Sequence, residues 1–402
     1  MSNKVKSVKL AVVASHPIQY YAPLFRLMAQ DNYLSIKVFY LWDFGITDQV
    51  DKGFKQSLKW DIPLLDGYNF EFVPNVSKNR GTHHLFGLQN PSLFKQLLAF
   101  KPDLILMTVS YNYASIYKLL WQMRNVNIPI IFRGDSHRIF KENSFKSKFK
   151  LWVISTIFKS FDACLYVGKA NYEYFRCHGI KPKQLFFAPH AIDNARFVAT
   201  ETIACQAKDW RQELGIPLGY KIILFAGKFE DKKRPLDLIR AFIDANLESV
   251  ALLMVGAGNL EAELRQYVEK NHIFGDRIFF APFQNQSLMP RTYAAGDLFV
   301  LPSYGSGETW GLAINEAMCM GCPVIVSSHV GCGADLVKPF ENGLIFEAGD
   351  VAGLSASLRE AMGDRDRLKQ WGETSKKIIA NYSYENVIVG LKQALAAILE
   401  TK

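Results

Sequence analysis

The 402-residue sequence predicts an α/β protein with two parallel, doubly wound sheets, one in each half of the chain. Three observations carry that expectation. Short apolar runs of the kind found in buried parallel strands, such as KLAVVAS (9–15), DLILMTVS (103–110) and KIILFAGKF (221–229), alternate with segments of helical apolar spacing. The alternation breaks off over 191–218 and then starts again. The length fits two domains of about 150–200 residues. The chain therefore divides into an N-terminal domain (1–195), a linker (196–218), a C-terminal domain (219–380) and a terminal helical segment (381–402). Two such units in sequence imply Rossmann-like domains across a cleft, and ligands in such sheets meet the carboxyl ends of the strands.

In the first domain, KLAVVAS leads into the loop His16-Pro17-Ile18-Gln19-Tyr20-Tyr21 and a helix from Ala22. His16 is a site candidate because it follows the first strand. SIKVFYLW (35–42) is the second strand, and residues 43–90 read as irregular. Adjacent His83 and His84 cannot share a helix face, which argues against a metal site there. A helix over 91–100 precedes the strand 103–110, a helix over 113–125 and the strand PIIFRG (129–134). The loop Arg133-Gly134-Asp135-Ser136-His137-Arg138 ends that strand, making Asp135 and His137 further candidates; helix capping is the plainer role for Asp135 or Ser136. Residues 145–161 form a helix with aromatics among lysines 146, 148, 150 and 159. It can pack on the core with a solvated basic edge or lie at a membrane interface. ACLYVG, a helix from Lys169 and LFFAPH (185–190) complete the domain.

The second series runs through helix 235–245, strand ALLMVG, helix 259–270, strand RIFFAPF, helix 287–295 and strand LFVLPS. The stretch from Pro302 to Asp335 is the densest in chemistry: a Gly-rich loop at 305–307, Glu308, and Glu316 eight residues on in the helical segment WGLAINEAMCM. Gly321 ends that helix and PVIVSS is the next strand. Eight residues of helix would separate the two carboxylates by about 12 Å, whereas a nucleophile and acid acting on one glycosidic bond stand about 5 Å apart. They read instead as holding two ends of one elongated ligand, with free helix N–H groups between them for a phosphate. Gly227-Lys228-Phe229-Glu230-Asp231-Lys232-Lys233-Arg234 follows the domain's first strand with four cations beside a helix N-terminus, an anion site without Walker glycine spacing. Gly256-Ala257-Gly258 lacks the third glycine of a dinucleotide fingerprint and reads as a tight turn. Asp364-Arg365-Asp366 lies in the helical tail and reads as a cap.

Composition narrows the classes. No apolar run approaches the roughly 18 residues of a membrane span, and the short apolar part after the basic start has no cleavage site of signal-peptide type. Six scattered cysteines lack a fourth ligand at metal-site spacing and read as reduced thiols, which fits a cytoplasmic setting. Residues 1–200 hold 26 Lys and Arg against 13 Asp and Glu, a net of +13; the remainder carries −4. The basic half favours an anionic partner: a membrane surface, a lipid pyrophosphate or nucleic acid.

GETWGLAINEAMCMGCPVIVSSHVGCGADLV resembles the E-x7-E region of the retaining GT-B glycosyltransferases, family GT4. GKFEDKKRPLDLIRAF resembles the family's G-R/K-x4-K segment, PHAIDNARF its linker, and SHPIQYYAPLFRLM the opening of a bacterial subset making surface polysaccharides. The resemblance implies a GT-B fold whose C-terminal helix returns to the first domain. It implies that Gly227, Lys228 and Lys233 bind the donor diphosphate and that Glu316 holds the ribose hydroxyls. Glu308 would contact the transferred sugar, the backbone at Gly311 and Leu312 would meet the phosphates, and Phe283 would approach the base. The donor would be a nucleotide diphosphate-sugar, the acceptor a glycan or lipid-linked hydroxyl, with no metal and no nucleic acid. Two departures fall in the first domain. His16-Pro17 replaces the usual Gly-Gly turn, and no histidine is in register after PIIF, where Asp135 and His137 lie nearby. A sugar-nucleotide epimerase and a non-catalytic polysaccharide-assembly subunit are the alternative functions.

Overall fold

The computed structural model describes residues 7–47, 49–51, 56–138, 145–271 and 276–400. The first domain is a seven-stranded parallel sheet, formed by β1 (Val8–Ala14), β2 (Leu34–Tyr40), β5 (Asn69–Phe72), β6 (Leu104–Met107), β7 (Ile130–Arg133), β8 (Ala163–Tyr166) and β9 (Leu185–Phe187) in the order β5-β2-β1-β6-β7-β8-β9. Its helices are α1 (Ala22–Gln30), α2 (Leu93–Phe100), α3 (Ala114–Met123), α4 (Phe145–Phe158) and α5 (Lys169–Cys177). Leu10 and Val12 face one core with α1, while Ala11 and Val13 face the other with α2 to α5. Burial on both faces is why these strands are continuous apolar runs rather than alternating ones.

Three strands depart from the expectation of irregular structure over 43–90. β5 adds an edge strand beside β2, and β3 (Gln49–Asp51) pairs antiparallel with β4 (Gln56–Leu58). The sequence NFEF hides β5 because two of its four residues are exposed, so it lacks the apolar run that marks the buried strands.

After the linker helix α6 (Glu201–Glu213) come β10 (Lys221–Ala226), α7 (Pro235–Ala245), β11 (Val250–Val255), α8 (Glu261–Lys270) and β12 (Ile278–Ala281). They are followed by α9 (Met289–Ala294), β13 (Leu298–Leu301), α10 (Leu312–Cys319), β14 (Val324–Ser327), α11 (Gly333–Leu336) and β15 (Gly343–Phe346). The six strands form a second parallel sheet in the order β12-β11-β10-β13-β14-β15. Within 196–218, where only a broken strand pattern is visible in sequence, α6 buries Ala207 and Trp210 on this domain's core, capped by the Thr200 side chain.

The tail is helical: α12 (Val351–Met362), α13 (Arg365–Ile379) and α14 (Tyr384–Leu399). Asp364 caps α13 by accepting from the backbone N–H groups of Asp366 and Arg367, the role expected of that triplet. The final helix returns to the first domain, where Val387, Leu391 and Leu395 join the core around Leu10 and Val12. The Tyr384 hydroxyl donates to the Tyr20 carbonyl at 2.8 Å and Lys392 reaches Asp31 at 2.5 Å. All six cysteines are free; Cys164, Cys322 and Cys332 are buried, and burial pushes the Cys322 thiol up to about 12.

Candidate active site

The carboxyl ends of β10, β11 and β13 face those of β1, β7 and β9, and a cavity of about 470 Å³ lies between the domains. That volume is typical of a small-molecule site.

The loop after β10 brings Gly227, Lys228 and Lys233 to this cavity. Its shape depends on the Gly256-Ala257-Gly258 turn. Gly227 N–H donates to the Val255 carbonyl at 3.0 Å and Phe229 N–H to the Ala257 carbonyl at 2.9 Å. Gly256 has φ +148°, and a Cβ there would sit 2.0 Å from the Gly227 carbonyl oxygen. The two glycines thus let one loop backbone lie on another, the packing role of a tight turn. Gly256→Ala is expected to destabilise the protein by about 1–3 kcal/mol and to shift the Lys228 loop. Urea unfolding with a nucleotide titration checks both.

From the loop after β13 comes Glu308. Its Oε2 pairs with the Lys233 Nζ and accepts from the Ser303 hydroxyl at 3.0 Å. The pair is largely buried, with side chains 16% and 12% exposed. Main-chain bonds fix the loop on both sides: Tyr304 N–H to the Lys232 carbonyl (2.8 Å), and Gly331 N–H to the Glu308 carbonyl (3.1 Å). The loop ends at Gly311, whose φ of +101° sets the turn into α10. This turn leaves the first-turn N–H groups of the helix without intrahelical acceptors, and Leu312 and Ala313 line the cavity there.

Glu316, one turn further along α10, is 2% exposed. Its Oε2 accepts from the Tyr293 hydroxyl at 2.7 Å, while Oε1 is buried with no partner at hydrogen-bond distance. Burial raises its pKa above the ordinary glutamate value, against the opposing Tyr293 hydrogen bond and the Arg196 charge. Tyr20, from the first domain, faces the same carboxyl, and burial together with that charge holds its hydroxyl firmly protonated. Phe283 lines the cavity 6.5 Å from Trp60 of the first domain.

Across the cleft, His16 stands against Trp42 and Phe44, with ring centroids at 5.7 and 5.4 Å and the Ser15 hydroxyl at 3.0 Å from Nδ1. Asp135 accepts from the Thr309 hydroxyl of the opposite domain at 2.6 Å and lies 3.8 Å from His190 Nε2. Desolvation raises the Asp135 carboxyl, but the neighbouring His190 and the Thr309 hydrogen bond outweigh it and hold the group well below the usual carboxylate range. Burial lowers the His190 pKa, against the opposing pull of Asp135. His137 does not line the cavity. Its Nδ1 is 2.9 Å from where a Gly331 side chain would begin, beside the Thr309 carbonyl, which makes it a support for the Glu308 loop.

The structure therefore gathers His16, Asp135, Gly227, Lys228, Lys233, Phe283, Glu308, Gly311, Leu312 and Glu316 around one cavity and leaves His137 behind it. Sequence reasoning missed His190, Tyr20, Tyr293 and Trp60. The signal for His190 was present, since LFFAPH ends a strand as KLAVVAS-His16 does. Tyr293 carried none: it comes from a short helix and reaches Glu316 only through the fold.

Residues 206–378 match the family model described as glycosyl transferases group 1. The chain is 27% identical over 230 residues to D-inositol 3-phosphate glycosyltransferase of Nocardia farcinica, covering 55% of this chain and 49% of that protein. It is 27% identical over 193 residues to spore coat protein SA of Bacillus subtilis, covering 46% and 50%. The chain thus spans about half the length of the curated relatives it matches. Among solved structures, it resembles the Anabaena protein HepE in complex with UDP and glucose (TM-score 0.70, 17% identity, 97% and 99% covered). It also resembles a glycosyltransferase of Rickettsia africae (TM-score 0.71, 13% identity, 98% and 99% covered). The family match thus falls on residues 206–378, and the whole chain shares the two-domain GT-B fold of these structures.

Proposed function

We propose that the protein transfers a hexose-type sugar from a nucleotide diphosphate-sugar to a hydroxyl of a glycan or lipid-linked acceptor, with retention, in cell-surface polysaccharide synthesis at the inner face of the cytoplasmic membrane. The observation that carries this reading is the convergence of Lys228, Lys233, the start of α10, Glu308 and Glu316 on one cavity. Cations and helix N–H groups suit a diphosphate. A buried carboxylate with an unsatisfied oxygen suits ribose hydroxyls, since such an atom is costly to leave without a donor. The aromatic edge at Phe283 and Trp60 suits a base. The complex of HepE with UDP and glucose is in keeping with this donor class.

In the step itself, the acceptor oxygen forms a bond to the anomeric carbon on the face that the diphosphate leaves. The bond from that carbon to the diphosphate oxygen breaks, and that oxygen takes the hydroxyl proton. Lys228, Lys233 and the helix N-terminus stabilise the charge that develops there, so this reading routes no step through a metal. Glu308 orients the sugar. His16, Asp135 and His190 flank the acceptor side.

Incubation with a panel of UDP-, GDP- and other nucleotide sugars, with and without lipid-linked acceptors, tests the reading. Transfer supports it. Free sugar released without acceptor indicates an epimerase instead, and absence of donor binding indicates a non-catalytic assembly subunit. Glu308→Gln is expected to keep the fold and lose transfer by about 100-fold or more; full turnover by this variant would overturn the assignment.

A further inference from the structure

The outer helical face of the first domain is apolar and basic at once. α4 carries apolar side chains on both sides. Ile154 and Phe158 enter the core, while Phe149 and Trp152 are 60% and 65% exposed and stack on each other with centroids 6.0 Å apart. A helix apolar all round is ordinarily buried all round, and this one is buried on one side only. α3 packs into the same core on the same side of the sheet and presents Trp121, 66% exposed. The short turn Leu85–Gly87 lies against α3 and presents Phe86, 58% exposed.

The charge around these rings has one sign. α2, α3 and α4 contain five lysines and no acidic residue. Over 72–161 the chain holds 13 Lys and Arg against three acids. Asp103 accepts from the Lys9 backbone N–H at the amino end of the sheet, and Asp135 lies in the cleft, so neither offsets the exposed Lys148 and Lys150 beside Phe149. The third, Glu142, is outside the described residues.

We infer that this face, formed by α3, α4 and the 85–87 turn, docks on an anionic lipid bilayer. Exposed tryptophan and phenylalanine settle at the headgroup level, where an apolar ring with a polar edge is best solvated. Lysines with no carboxylate paired to them among the described residues are drawn to a negative leaflet. A protein partner would have to supply acidic groups and apolar pockets together, whereas an anionic membrane offers both over its whole surface. Among the described residues no helix is long and apolar enough to cross a membrane, so the contact would be peripheral. Its use, which is to hold the cleft near a lipid-linked acceptor, rests on the transferase reading. The docking does not, and is tested without turnover.

The test is flotation of the full chain with vesicles of phosphatidylcholine alone and with about one-third phosphatidylglycerol, in about 50 mM and about 500 mM salt. Expected is co-flotation with the anionic vesicles at least 10-fold above the neutral ones, weakened by salt, with a blue-shifted tryptophan emission. Trp152→Ser with Phe149→Ser, and separately Lys148→Glu with Lys150→Glu, should each lower binding 10-fold or more while the melting temperature and nucleotide binding stay unchanged. No flotation of the unaltered chain overturns the inference. So does flotation that both double variants retain, or a salt-independent self-association that the serine variant abolishes, which would make the face a contact between copies.

Discussion

On the proposed transferase reading, Lys233→Ala is expected to lower the rate of sugar transfer by about 100- to 1,000-fold, the usual loss when one preorganised group facing a developing oxyanion is removed. The reason lies in its partner as much as in the phosphate. Lys233 and Glu308 are paired inside the cleft and both are largely out of solvent. Removing the cation leaves the Glu308 carboxylate uncompensated, with only the Ser303 hydroxyl still bonded to Oε2. Breaking such a pair from one side costs about 3–5 kcal/mol when burial is complete, and somewhat less here. The alanine variant should therefore melt earlier and, in addition, repel the donor's diphosphate. Lys233→Ala combined with Glu308→Gln separates the two effects. Stability should return because no lone charge remains, while activity should stay low because nothing neutralises the leaving group. Calorimetry and initial rates on the two single variants and the double variant give the cycle. Near-normal turnover in the alanine variant would remove Lys233 from the chemistry.

Glu316→Gln is expected to raise stability and weaken nucleotide binding together. Burial places the folded-state pKa of Glu316 above its unfolded value of about 4.3. The contribution of this group to stability is therefore fullest below that unfolded value and is lost as pH rises through the folded value. Glutamine has no charge to desolvate, so its advantage should appear over that same rise and persist at neutral pH. Melting curves from pH 4 to 8 should show the variant gaining on the parent as pH increases. Binding should move the other way. A carboxylate accepting from a hydroxyl is worth about 1.5–3 kcal/mol, so UDP affinity should fall roughly 10- to 150-fold. A variant that binds UDP as tightly as the parent would take Glu316 out of the nucleotide site.

How much of this was legible in the sequence depends on how local each signal is. Strands β1, β6, β10 and β13 announce themselves because both faces are buried, whereas β5 does not because part of it faces solvent. The C-terminal domain's side of the cavity was readable residue by residue, since Lys228, Lys233, Glu308 and Glu316 each sit at a strand end or the helix that follows it. The first-domain side was readable only as a set of loops. Asp135 and His137 are two residues apart on one loop, yet the first meets Thr309 across the cavity and the second packs under the Glu308 loop. No local pattern separates them, because their difference is made by the opposite domain. Tyr293 and Trp60 are likewise contributions of tertiary placement alone.

The return of α14 to the first domain means that the chain passes between the domains twice, once before α6 and once after α13. The passages lie side by side, with the Asn194 side-chain amide donating to the Tyr382 carbonyl at 3.4 Å. Two covalent strands meeting at one place make a compact hinge rather than a broad seam. Rotation about it acts through a lever arm as long as the cleft, so a few degrees at Asn194 and Tyr382 become ångströms at the far rim. Near the axis, where Gln286 accepts from Arg196 at 2.5 Å, Ser287 N–H donates to Asp61 at 3.1 Å and the Asn285 amide to the Lys59 carbonyl at 2.8 Å. Contacts so close to the axis are displaced least by a given rotation.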